Sequence, residues 1–256
     1  YWTSTGTWAN FFNNALGLAS VQTLPGVFES NPFARAVNGS LWTIRYELAM
    51  YLLLVIVATF ARGNRFVYPL VAVAMALLWE AARQGAWDAG LVNVSGILAE
   101  LFRWQDFCGF GVVFFIGSSM AAYRLEPRFW MAAVGALLYL VGGFTADEFL
   151  LQLVVWAMVA LATFYAAYAG TRPGTSPKRA KVDLSYGVYI YAFPIQQAIS
   201  AISLREGWSF ATCVILSLLP VLALAWVSWQ FIEKPAIRTG RRWCEGSRIE
   251  NAPAQP

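Results

Sequence analysis

Long apolar runs separated by short polar breaks dominate the chain from residue 41 to residue 232. Seven runs stand out, over residues 41–60, 66–79, 107–123, 129–144, 149–169, 184–203 and 210–232. A helix rises ~1.5 Å per residue, so ~20 residues cross the hydrocarbon core of a bilayer. The runs predict an all-α fold, a polytopic transmembrane helix bundle with about seven spans present. The second and fourth runs are short by this measure. They reach full length by extending into residues 80–84 and 145–147, or they cross with less tilt.

Residues 1–40 hold a weak helical stretch over 8–19. A connection rich in proline, glycine and asparagine follows, through Pro25, Pro32 and Gly39. Between the second and third runs, Trp87, Leu91, Val94, Ile97, Leu98, Leu101 and Trp104 recur at helical spacing, which predicts a helix lying along the membrane interface. The tail after Cys244 is polar, carries Pro253 and Pro256, and reads as disordered. No internal repeat is present. The organisation expected is an extracytoplasmic segment over 1–40, a membrane domain over 41–238 and a polar cytoplasmic tail over 239–256.

Composition agrees with the apolar runs. The 256 residues are 59% hydrophobic and 12% charged, whereas a soluble domain carries about 25% charged residues. The net charge of +4 is unevenly placed. Arg62 and Arg65 follow the first run, and Arg124 and Arg128 the third. Arg172, Lys178, Arg179 and Lys181 follow the fifth; Lys234, Arg238, Arg241, Arg242 and Arg248 follow the seventh. These alternate breaks hold thirteen of the eighteen Lys and Arg, the others being Arg35, Arg45, Arg83, Arg103 and Arg205. Positive residues mark cytoplasmic loops. The C-terminus is therefore expected inside and residues 1–40 outside. With a cytoplasmic N-terminus, an odd number of spans would precede Tyr1. The charge serves topology, not nucleic-acid binding. Three widely spaced cysteines, Cys108, Cys213 and Cys244, and no histidine predict free thiols and no metal site.

Polar groups inside an apolar run are costly and point to function or to a partner. The first run opens with Ser40-Leu41-Trp42-Thr43-Ile44-Arg45-Tyr46-Glu47. Ser40 is a potential helix cap. Trp42 and Arg45, and Thr43 and Glu47, each share a face, and Tyr51 continues the Glu47 face. Two readings fit. In one, Glu47 acts as base or positioning acceptor and Arg45 as an anion clamp. In the other, Trp42 and Arg45 snorkel to the interface and a salt bridge joins helices.

The sixth run opens with Leu184-Ser185-Tyr186-Gly187-Val188-Tyr189-Ile190-Tyr191-Ala192-Phe193-Pro194. Pro194 kinks a helix and frees a carbonyl. Tyr186 and Tyr189 place hydroxyls on one face, to line a tunnel or to form an aromatic belt. Phe231-Ile232-Glu233-Lys234-Pro235 closes the last run, where Pro235 is expected to stop the helix. The small residues of Gly117-Ser118-Ser119 suggest close helix approach. Asn38-Gly39-Ser40 and Asn93-Val94-Ser95 match the glycosylation triplet, which is common by chance.

Together the three motifs resemble the bacterial membrane acyltransferase family called acyltransferase 3. Trp42 to Glu47 matches its outer-face Trp-Ser-Leu-x-x-Glu motif, Ser185 to Pro194 its late Ser-Tyr-x-x-Tyr-Leu-x-His-x-Pro motif, and Glu233-Lys234-Pro235 its closing Glu-x-Pro. Order and spacing agree over residues 38–238. The resemblance implies about ten spans, three of them before Tyr1, in the bacterial inner membrane. It implies O-acylation: an acetyl or other short acyl group passes from acetyl-CoA or a related acyl-CoA co-substrate, with no bound cofactor, to a hydroxyl of an extracytoplasmic glycan or exported glycoside. Lipopolysaccharide O-antigen, capsule and peptidoglycan are typical acceptors. Glu47 and Arg45 would carry the chemistry, Trp42 and Tyr46 would shape the site, and Tyr186, Tyr189 and Tyr191 would line the donor path.

The family's catalytic histidine lies in its early spans, and Ala192 replaces the late one here. A histidine-free chain would have to use Glu47 as base, so the chain as given is expected to be inactive alone. A transporter or flippase, or a non-catalytic scaffold, is the competing reading. A transporter predicts repeated halves and broken helices at mid-depth; a scaffold predicts no binding of acyl-CoA.

Overall fold

A computed structural model describes residues 2–15, 21–85, 103–125, 128–144, 147–168 and 182–250, with side chains to residue 243. The interfacial helix expected between the second and third runs and the basic segment after the fifth fall largely outside these residues. All the described secondary structure is helical apart from an isolated bridge between Thr23 and Ala36. The helices are α1 (Thr5–Ala15), α2 (Ile44–Ala61), α3 (Val67–Arg83), α4 (Trp104–Ala122), α5 (Phe129–Gly142), α6 (Glu148–Tyr168), α7 (Ser185–Glu206), α8 (Phe210–Ser228) and α9 (Lys234–Glu250). A helix forms at every one of the seven apolar runs.

Among the described residues four helical stretches are long and apolar enough to cross a membrane: Gly39–Ala61, Trp104–Ala122, Glu148–Ala167 and Phe210–Trp243. The other three runs fall short for separate reasons. α3 does extend past Trp79 to Arg83, bringing Glu80 and Arg83 into its last turn. α5 stays at 14 residues. α7 is 22 residues long but carries polar side chains along its length. The outer faces carry Leu52, Val55, Leu70, Leu77, Leu140 and Leu219 in exposed positions. Such a density of exposed apolar side chains suits lipid contact, not water.

The chain divides into two compact units, one of Tyr1–Thr43 with Ala180–Pro256 and one of Ile44–Arg179. The second unit holds α2 to α6. Its core joins Met75, Ala76, Cys108, Val112 and Trp156, with a neighbouring cluster of Met50, Ala72 and Phe115. Close approach comes from Gly111, whose absent Cβ would lie 3.1 Å from the Met75 side chain, and from Gly142 against Val154. The small residues singled out in the sequence do not serve this purpose. A Cβ on Gly117 would meet nothing within 4 Å among the described residues. Ser118 and Ser119 donate instead to the carbonyls of Phe114 and Phe115 in their own helix.

The first unit holds α1, a non-helical segment, a 3₁₀ turn over Gly39–Thr43, and α7 to α9. Two expectations fail here. Pro235 does not end the helix. A π-helical turn over Trp229–Glu233 already shifts the hydrogen-bond ladder, with the Lys234 N–H donating to the Trp229 carbonyl. The missing N–H of Pro235 then falls in the first turn of α9, where proline is tolerated. The tail is helical to Glu250, not irregular from Cys244. Its arginines and glutamates are good helix formers, and Pro253 comes only after its end.

Candidate functional site

The non-helical segment 31–43 lies along α7 and is held by side chains of both partners. Gln197 is 5% exposed. Its Nε2 donates to the carbonyls of Phe33 (2.7 Å) and Ala36 (2.5 Å). Asn31 Nδ2 donates to the Gln197 carbonyl (2.8 Å) and to its Oε1 (3.1 Å). One helical turn or more towards the start of α7, Asn38 Nδ2 donates to the Ile190 carbonyl at 3.0 Å. That acceptor is the one Pro194 releases, four residues ahead of it. The sequence showed that a carbonyl would be freed, and the fold supplies its donor. Gly39 suits this close approach, because a Cβ would sit 2.7 Å from the Phe193 ring and would force the ring to turn.

The two motifs of the first unit meet at Tyr189. Its hydroxyl donates to the Ser40 carbonyl at 2.8 Å and lies 2.5 Å from the Thr43 hydroxyl. Each hydroxyl carries one proton and both lie within reach of the Ser40 carbonyl, so either can donate to the other. Ser40 is not the helix cap expected. Asn38 Oδ1 accepts from the Ser40 N–H at 3.0 Å, and the chain enters α2 through the 3₁₀ turn. An asparagine side chain satisfies its own backbone two residues on and so competes with the simple cap. Trp42 is half-buried, as is Tyr191, while Tyr186 and Tyr189 remain substantially exposed.

Arg45, Tyr46 and Glu47 belong to the second unit. Residues two apart point to different sides of a helix, so Glu47 faces away from Arg45, while Arg45 and Tyr46 stay in contact. Tyr46 is 1% exposed. Its oxygen accepts from the Arg103 backbone N–H (3.1 Å) and from Arg45 Nη2 (3.4 Å). The Arg45 guanidinium sits 5.0 Å from the Tyr46 ring centre. Glu47 is exposed and accepts from the Tyr51 hydroxyl at 2.5 Å, in accord with the shared face read from the spacing. Its carboxylate engages Tyr51 and not Arg45. Among the described residues no group of three or more His, Cys, Asp or Glu gathers to hold a metal ion.

A cavity of about 490 Å³ lies in the first unit between the second half of α7 and the first half of α8. Phe33, Phe193, Gln196, Ser200, Trp208 and Cys213 are among its walls. None of these was singled out as a site residue from the sequence. The available signal was the spacing of Gln196, Ser200 and Ser203, a polar stripe at i, i+4 and i+7 within an otherwise apolar run.

The chain resembles an O-acetyl transferase. That protein, from Shigella phage Sf6, is 29% identical over 203 residues, covering 77% of this chain and 56% of the relative. The chain thus spans just over half the length of that relative. No protein-family model matches the chain, and no solved structure matches it.

The start of α7 carries a pH-dependent contact outside the apolar run. Asp183 Oδ1 accepts from the Ser185 hydroxyl (2.7 Å) and from its backbone N–H (3.1 Å). The hydroxyl bond first, and the backbone bond second, hold the Asp183 carboxyl below its ordinary value. A depressed folded-state value means the contact stabilises above the ordinary carboxylate range and is lost as pH falls through the folded value. The Val188 N–H, which donates to the Leu184 carbonyl in the first turn, should therefore lose protection at acid pH. Hydrogen exchange corrected for intrinsic rates is expected to show this in the parent. In Asp183→Ala it should show weaker protection already at neutral pH, with no further acid step.

Proposed function

We propose that the chain works as part of a membrane O-acetyltransferase of the bacterial inner membrane. An acetyl or related short acyl group passes from an acyl-CoA donor to a hydroxyl of an extracytoplasmic glycan. The observation that carries this reading is the similarity to the phage O-acetyl transferase over 77% of the chain. The acyltransferase 3 motifs around Trp42 and Tyr189 support it. In the reaction the acceptor oxygen attacks the thioester carbonyl carbon. The carbon–sulfur bond breaks, and the hydroxyl proton ends on the departing thiolate.

The residues take roles that suit their placement. Glu47 presents an exposed carboxylate, steadied by Tyr51, to accept or orient the acceptor proton. Arg45, whose guanidinium lies over the Tyr46 ring and donates to the Tyr46 hydroxyl oxygen, helps hold the acceptor or the thioester. Trp42 shapes the outer mouth. Tyr186, Tyr189 and Tyr191 line the donor path, and the hydrogen bonds of Tyr189 to Ser40 and Thr43 hold that wall in place.

Substitution in the full-length protein tests the assignment. General acid–base groups contribute ~10²–10⁴-fold, and a positioning carboxylate less. Glu47→Ala should reduce transfer at least roughly tenfold at unchanged membrane abundance, with the loss in kcat. Normal turnover in that variant removes Glu47 from the site.

A further inference from the structure

The cavity between α7 and α8 has walls of a particular chemistry. Phe33, Phe193 and Trp208 supply aromatic faces, and Gln196 and Ser200 supply an amide and a hydroxyl. Among the described residues no charged side chain lines it. The neighbouring polar groups are spent on the protein: Gln197 on Asn31, Phe33 and Ala36, Ser203 on the Trp208 carbonyl, and Ser217 on the Val214 carbonyl. Gln196 and Ser200 make no side-chain hydrogen bond among the described residues. Gln196 is exposed and Ser200 half-buried, so both are open to a ligand, and one that removes them from water must offer polar partners in return.

From these walls we infer that the cavity binds a neutral polyhydroxylated ring, a sugar residue. Its hydroxyls would meet Gln196 and Ser200, and its carbon-bound hydrogens would rest on Trp208 and Phe193. Aromatic faces with a few well-placed polar groups fix such a ligand. The absent charge disfavours phosphorylated or carboxylated ligands, which would leave an anion desolvated and unpaired. The cavity adjoins the turn at Gly207, whose positive φ of 66° ends α7. The charge pattern predicts this turn on the extracytoplasmic side, where a glycan would enter. As an acceptor subsite the assignment rests on the transferase reading; the binding itself does not.

Cys213 lines the cavity and reports on it. The experiment measures alkylation of Cys213 by N-ethylmaleimide in native membranes, quantified by peptide mass spectrometry. The probes are methyl glycosides of hexoses, 6-deoxyhexoses and N-acetylhexosamines, with cyclohexylmethanol and glucose 6-phosphate as controls. At least one neutral glycoside should slow Cys213 labelling threefold or more while both controls leave it unchanged. Gln196→Leu with Ser200→Ala should keep the labelling rate and lose the protection. A cysteine that never reacts, protection by no glycoside, or equal protection by either control overturns the proposal. Transfer assayed in the full-length protein separates the two readings. Protection without transfer to the bound sugar keeps the site and removes the transferase reading. Transfer without protection does the reverse.

Discussion

Gln197→Leu should destabilise the first unit by about 4 kcal/mol, since each buried polar group left unsatisfied costs ~1–3 kcal/mol. The leucine fills much of the glutamine's volume, so the loss is one of hydrogen bonding and not of packing. It strips the carbonyls of Phe33 and Ala36 of their shared donor and removes one acceptor from Asn31. Asn31 Oδ1 is already buried without a hydrogen-bond partner among the described residues, so the region has little spare satisfaction. The Asn31 bond to the Gln197 backbone carbonyl survives and limits the damage. Thermal unfolding in detergent, followed by the fraction of monodisperse protein, should drop by roughly 10 °C. Gln197→Glu should do no better, because it sets a carboxylate against two carbonyl oxygens. A leucine variant as stable as the parent would mean that water replaces the glutamine and that this backbone is not sealed.

Gly187→Val should cost about 3 kcal/mol or more, at the upper end of what overpacking inflicts. A Cβ at residue 187 would lie 2.7 Å from the Ala225 Cα, 2.9 Å from its Cβ and 3.2 Å from its carbonyl oxygen. Ala225 is 0% exposed. The obstacle is backbone, so relief requires α7 and α8 to move apart. Gly39→Ala provides the contrast, because the atoms it meets belong to the Phe193 ring. A ring turns more readily than a helix moves, so Gly39→Ala should lose less than half as much. The same detergent melts rank the variants. Equal losses at the two sites would show that the α7–α8 contact is looser than its geometry.

How far the candidate site was legible in the sequence follows from which interactions are local. Glu47 and Tyr51 are four apart on one helix, and their hydrogen bond follows from that spacing. The proline in α7 announced a free carbonyl, and Pro194 sits inside the helix as expected. Where local rules compete, the reading missed. Ser40 yields its capping role to Asn38. Pro235, expected as a stop, is absorbed because a π turn comes first. The close helix approach assigned to Gly117 belongs instead to Gly111, Gly142 and Gly187. A glycine's role depends on what faces it, and the sequence does not say what that is.

The sequence by itself determined the all-α class and the position of the apolar helices. Apolar runs of this length have few ways to satisfy their backbone other than as helices. It also placed the polar residues within those runs. Only the tertiary structure decided what these residues meet. Asn31 and Gln197 are 166 positions apart, and Thr43 and Tyr189 146. The cavity, too, is walled by residues from the segment around Phe33, from α7 and from α8. Local patterning fixes periodicity over a few turns and carries no record of partners at that distance. Packing brings them together, and the need to satisfy every buried polar group then selects which of them bond.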